Sequence, residues 1–179
     1  MINIRAGAAE ELRELFTMIR AVRRSLASQG IDQWDEVYPT EAILREDLRK
    51  GDLHVIAVEE RIAGMIVLNE EELPEYAAVS WKYSTPVLVI HRLAVIPEYQ
   101  RQGLAIRLVE FAERTATVRG YHAIRLDAFT RHPGATALYE HLHYRRAGTV
   151  QLRKGLFYCY EKQMRRNDQS DSGGSGPDE

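Results

Sequence analysis

A β-branched, apolar run from Val87 to Val95 closes near Pro97, and a short polar turn, Glu98 to Gln102, follows it. Leu104, Leu108, Phe111 and Ala112 then recur at helical spacing, with Gly103 standing where the turn becomes the helix. Strand, loop and helix therefore meet at one glycine. Such a junction gathers unpaired backbone N–H groups and the positive end of a helix dipole in a small volume. That is chemistry for a phosphate or diphosphate, and Gly103 lets the main chain come close to it. The chain has no G-x-x-x-x-G-K-[ST] and no G-x-G-x-x-G after a strand, so it carries neither the P-loop nor the dinucleotide fingerprint.

Gln100-Arg101-Gln102-Gly103-Leu104-Ala105 resembles the [QR]-x-x-G-x-[GA] signature of the GNAT superfamily of N-acetyltransferases. The preceding HRLAV, the PEYQ turn, the later IRLDAF, the block HPGATALYEHLHY and the ending FYCYEK fall in that superfamily's order. Gly30-Ile31-Asp32-Gln33-Trp34 and Tyr38-Pro39 are similar to a bacterial branch that carries GIxQW…YP there. The likeness runs from about Ile2 to Met164.

The resemblance implies an enzyme that transfers the acetyl group of acetyl-CoA to a primary amine, by direct attack in a ternary complex. Arg101, Gln102, Gly103, Leu104 and Ala105 would then cradle the pyrophosphate. Main-chain groups of Leu93, Ala94 and Val95 would hold the pantetheine arm and the thioester carbonyl. Tyr139, in Leu-Tyr-Glu, falls where the family often places a tyrosine beside the coenzyme sulfur. A tyrosine near pKa ~10 gives its proton to a thiolate of pKa ~8.5 only uphill, by about 2 kcal/mol, so Tyr139 is expected to act as a hydrogen-bond donor. His132 stands before Pro133-Gly134-Ala135, where the family commonly has asparagine; a histidine there could still reach the pantetheine arm.

An ammonium group must lose a proton before it attacks, and His91 is the candidate base, with Asp35 and Glu36 as others. By the same resemblance the acceptor lies between Gln29–Tyr38 and Arg153–Phe157. Trp34, Tyr38 and Trp81 offer walls for it, while Asp32, Asp35 and Glu36 could draw a cation. The acceptor is then a small-molecule or peptide amine. A longer acyl group, or a non-catalytic module that senses acyl-CoA, are the alternatives.

Other polar residues read more plainly. His141-x-His143 lacks the spacing that brings two ligands together, so no metal is expected. Cys159 sits in an alternating aromatic strand, as a core residue would. Arg145, Arg146, Arg153 and Lys154 look like a solvated edge and loop, or a selector for an acidic substrate.

The elements that must position these groups follow from periodicity. Ile2-Asn3-Ile4-Arg5 alternates as a first strand, and Leu12, Leu15, Phe16, Ile19 and Val22 mark a helix from Ala8 to about Leu26. Thr40 caps a second helix that Gly51 closes. Leu53–Glu59 and Arg61–Leu68 read as a hairpin, residues 69–84 as a loop with a helical turn, and His122–Phe129 as a strand. Pro133–His143 reads as a helix, followed by strands near Tyr144–Val150 and Phe157–Met164. The expected fold is a single α/β domain over residues 1–164, of GNAT type, with a mixed sheet of six or seven strands and about four helices. Residues 165–179, without an apolar anchor, read as a disordered tail.

The 179 residues suffice for one core, and a net charge of −2 gives no footprint for nucleic acid. No apolar run approaches the ~20 residues of a membrane span, and Glu10, Glu11 and Glu14 spoil a signal peptide. With a single cysteine, these features suggest a cytoplasmic protein; monomer and homodimer both stay open.

Overall fold

The computed structural model describes residues 1–165. The tail expected from 165 onward therefore lies, past Arg165, outside the described residues. In chain order the strands are β1 (Ile2–Ala6), β2 (Leu53–Val58), β3 (Arg61–Asn69), β4 (Val87–Ile90), β5 (Ala94–Val95), β6 (Ala123–Phe129), β7 (Arg145–Leu152) and β8 (Gly155–Gln163). The α-helices are α1 (Leu12–Ser28), α2 (Glu41–Lys50), α3 (Leu104–Val118) and α4 (Pro133–His141).

The strands form one mixed sheet in the order β1-β2-β3-β4-β6-β8-β7, with β5 paired to β3. Only β4 and β6 run parallel; the other pairs are antiparallel. Alternation along β3 sorts the core onto two faces. Met65 and Val67 join Leu15, Ile19, Val22 and Leu44 of α1 and α2, while Ile66 and Leu68 join Leu108, Val109 and Ala112 of α3.

Local signals place most boundaries. The Thr40 hydroxyl accepts the Ile43 N–H, and Gly51 closes α2 at φ +76. Glu59 and Glu60 take positive φ in the two-residue turn between β2 and β3, as a tight hairpin needs. A 3-10 turn, Pro74–Ala78, is the helical turn expected within residues 69–84.

The sheet has eight strands, above the six or seven expected, because the run from Val87 to Val95 is broken. His91 donates its N–H to Val67 O, and Ala94 next pairs with Met65, so Arg92 and Leu93 together oppose Ile66. This is a β-bulge. It separates β4 from β5 at the point where pairing with β6 also stops: Ile90 and Leu126 are the last parallel pair. Beyond them β5 follows β3 and β6 follows β8, and the sheet opens into a cleft.

Candidate active site

The cleft continues into a cavity of about 680 Å³ that runs from the start of α3 to the loop between α1 and α2. Its lining includes Leu93, Ala94, Val95, Arg101, Ala105, His132 and Tyr139 at one end, and Trp34, Tyr38 and Phe157 at the other. His91 also faces it.

At the first end the turn before α3 reaches left-handed conformations at Arg101 (φ 61) and Gly103 (φ 78). The Gln100 side chain donates to Val95 O at 2.9 Å, and that of Gln102 to Glu98 O at 3.1 Å, which fixes the turn against β5. Among the described residues the N–H groups of Arg101 through Ile106 find no protein acceptor. No acid occupies the first turn of α3. The result is a run of donors at a helix dipole's positive end, suited to an anion. The cradle is made of main chain: the Leu104 side chain is buried in the core.

β5 supplies the next donors. Ile96 N–H bonds to Ala63 O, so alternation turns the Val95 N–H away from β3 and toward the cleft. Leu93, in the bulge, donates its N–H to no protein group among the described residues. Gly64 makes the arrangement possible. A Cβ there would stand 2.6 Å from Ala94 O, so only glycine lets β5 lie this close on β3.

Tyr139 faces these donors from α4, with its ring packed between Tyr144 and Tyr160 at centroid distances of 5.7 and 5.8 Å. Its hydroxyl opens to the cavity, and burial pushes its pKa well up, so it is a donor at neutral pH. His132 is the N-cap of α4: its Nδ1 accepts the Ala135 N–H at 3.2 Å. Burial lowers the His132 pKa and keeps Nδ1 free to accept. An asparagine caps a helix in the same way. His132 thus makes the cap that an asparagine would make.

At the other end Trp34 is buried, and the Tyr38 hydroxyl accepts from Arg92 Nη1 at 2.8 Å. Arg92, in the bulge, also holds Asp47 of α2 through two nitrogens at 2.6 and 2.9 Å. Asp127 stands on β6, past the last pairing with β4. The Tyr76 hydroxyl donates to its Oδ2 at 2.7 Å, and burial raises its pKa above the ordinary carboxylate value. His91 bonds through Nε2 to Asn69 Oδ1 at 2.6 Å, and burial drives its pKa down to about 4. Two residues stand apart from this assembly. The Glu36 side chain is 91% exposed, outside the cavity lining and 3.9 Å from Arg23. Trp81 lies under Arg125 and donates its indole N–H to Tyr76 O, away from the main cavity.

The model of the acetyltransferase (GNAT) family matches residues 17–144. The chain belongs to the GNAT acetyltransferase family. A GNAT-family acetyltransferase from Streptococcus agalactiae 2603 shares 21% identity and a TM-score of 0.81, over 92% of this chain and 96% of its own. PaiA N-acetyltransferase from Thermoplasma acidophilum, solved in complex with coenzyme A, has 16% identity and a TM-score of 0.71, with 91% and 99% covered. The ribosomal-protein-S18-alanine N-acetyltransferase of Escherichia coli has 15% identity and a TM-score of 0.69, with 95% and 99% covered. At these identities the likeness is one of fold. No curated protein matches the chain.

Within this GNAT chain, sequence pattern alone assigns no site role to Asp127 or Arg92, and reads the cations of β7 and the β7–β8 turn as a solvated edge and loop or a selector for an acidic substrate. Asp127 lies in the strand expected over His122–Phe129, but only the structure shows that it stands past the last parallel pair and lines the cavity. The four cations expected to be solvated are each paired within the chain: Arg145 with Glu161, Arg146 with Glu140, Arg153 with Asp35, and Lys154 with Asp32 and Asp35. Cys159 is fully buried, and burial pushes its thiol up to about 12, so it stays protonated.

Proposed function

We propose that this GNAT protein is an N-acetyltransferase that moves the acetyl group of acetyl-CoA to a primary amine within a ternary complex. One observation carries the reading: Arg101 and Ala105 of the α3 turn, Leu93 and Val95 with their free N–H groups, and Tyr139 line one cavity, and the N–H groups of the turn beside it have no protein acceptor among the described residues. Their order suits the diphosphate, thioester oxygen and sulfur of one coenzyme molecule. The known coenzyme complex of a structural neighbour supports the same choice.

When bound, acetyl-CoA supplies the activated thioester. The N–H groups from Arg101 to Ile106 hold its diphosphate. The Leu93 and Val95 N–H groups stabilise negative charge on the thioester oxygen while the amine nitrogen bonds to the carbonyl carbon. Asp127 receives the ammonium and takes up its proton; burial makes this carboxylate more basic than usual. As the C–S bond breaks, Tyr139 donates a hydrogen bond to the departing sulfur, and the proton that the newly bonded nitrogen releases passes to the thiolate. Tyr76 orients Asp127. His91, with a pKa near 4 and Nε2 committed to Asn69, is assigned a structural part here.

Acetyl-CoA with a panel of primary amines, followed by free-thiol release, tests this reading. Tyr139→Phe should lower kcat by about 10- to 100-fold while coenzyme affinity, measured by calorimetry, changes little. Asp127→Asn should abolish the acid limb of the pH profile, which in the parent lies above the ordinary carboxylate range. Unchanged kcat in the first variant, or an unchanged limb in the second, would refute the assignment.

A further inference from the structure

The loop between α1 and α2 is tied to the β7–β8 turn by a set of ion pairs more than a hundred residues apart in sequence. Arg153 grips Asp35 through both terminal nitrogens, at 2.8 and 2.9 Å. Lys154 Nζ reaches Asp35 at 2.9 Å and Asp32 at 2.7 Å. Asp35 also shapes its own loop, because its Oδ1 accepts the N–H groups of Val37 and Tyr38. The acid that folds the loop carrying Trp34 and Tyr38 is thus the one clamped to the hairpin. A lone exposed pair contributes little, but a bidentate arginine within a four-residue network holds a geometry.

This strap crosses the acceptor end of the cavity, since Arg153 and Lys154 line it from the hairpin side. Beneath it the walls are mostly apolar, with Val22 and Leu26 from α1, Trp34 from the loop, Leu73, and Leu152 with Phe157 from the hairpin, and the uncharged amides of Gln29 and Gln33 beside them. Acids in the lining are few. Asp127 stands at the inner end and Glu75 near the surface. The aspartates of the loop, Asp32 and Asp35, are spent on the strap and offer no free charge to a ligand.

Resting on the N-acetyltransferase reading, we propose that the acceptor is a small primary amine with an apolar body, enclosed under this strap, and not the end of a polypeptide. Asp127 takes the ammonium, and the body lies against Trp34, Leu26 and Phe157. A polypeptide acceptor would have to leave between the loop and the hairpin, where the ion pairs stand. A polyamine would set a second ammonium against the mostly apolar wall, where the one further acid of the lining, Glu75, is solvent-exposed and repays little of the desolvation cost. The same cavity would also have to take the pantetheine arm, so the space left of its roughly 680 Å³ suits a compact molecule.

The test compares 2-phenylethylamine, spermidine and a hexapeptide with a free N-terminus, as acceptors for the full chain with acetyl-CoA. Binding of each to the coenzyme-A-loaded protein is measured in parallel by calorimetry. The arylalkyl amine should exceed both others in kcat/KM by about tenfold or more. The double variant Asp32→Asn, Asp35→Asn, which keeps the loop's side-chain acceptors but removes the charge, should narrow the gap to the peptide. Equal or better use of spermidine or the peptide by the parent chain overturns the proposal and leaves the enzyme reading standing. Tight binding of 2-phenylethylamine without turnover supports the apolar acceptor chamber and overturns the enzyme reading. Neither binding nor turnover of 2-phenylethylamine overturns the proposal.

Discussion

His91 and Asp127 face the same cavity and are displaced in opposite senses by the same cause. Burial disfavours the charged form of each, so the histidine falls to about 4 and the carboxylate rises. The histidine makes a stability prediction. Unfolded, it takes a proton near pH 6.5; folded, it resists until about pH 4. Between those values the unfolded chain binds the extra proton, so stability is fully present above pH 6.5 and is lost as pH falls toward 4. The full span corresponds to roughly 3 kcal/mol. His54 and His132, also lowered by burial, act in the same direction. Thermal melts across this window should show a shallower loss of Tm in His91→Gln than in the parent chain; parallel curves would contradict it. Residues of this kind were only half legible in the sequence. Motif order pointed to Tyr139 and the Leu93–Val95 segment, and both line the cavity. Asp127 could not be picked out, since the role proposed for it depends on where β4 and β6 part, which no spacing along one strand records.

On the proposed function, the turn into α3 is the element whose geometry coenzyme binding depends on most. Gly103 sits at φ +78, yet a Cβ there would meet nothing within 4 Å. The glycine answers a backbone demand and not a crowded neighbour. A β-branched residue would cost strain of about 1–3 kcal/mol and would displace the unpaired N–H groups proposed to hold the diphosphate. Gly103→Val should therefore cost a few degrees in Tm while weakening coenzyme binding by more than about tenfold. Calorimetry beside thermal melts checks this, and proportionate loss in both would be the contrary result. Several element boundaries came from strong local signals, such as the Thr40 cap and the Gly51 stop of α2. The exception is informative. The apolar run Val87–Val95 has the composition of one strand, and nothing in it announces that Arg92 and Leu93 will bulge. The bulge follows from register against β3, where Gly64 admits β5 and Ile66 faces two residues. Pairing partners decide this, and they lie far away in sequence.

For the whole molecule, the cleft is where the two faces of the sheet meet. One cluster packs α1 and α2 against one face, the second packs α3 and α4 against the other, and the parting of β5 from β6 opens a passage between them. A coenzyme lying there would touch β5, the α3 turn and α4 together, so binding should stabilise the fold as a unit. At a ligand concentration of 100 times Kd the gain is about 2.7 kcal/mol. For a chain of this size that is a rise in Tm of roughly 5–10 °C. The diphosphate should account for much of it, because the donors from Arg101 to Ile106 have no partner within the described residues. Coenzyme A should accordingly raise Tm clearly, whereas pantetheine, which fills the passage but lacks the diphosphate, should raise it little at the same concentration. Scanning calorimetry with each ligand distinguishes the cases. Equal shifts would mean that the passage binds by its walls alone and that the α3 turn has no anion to hold.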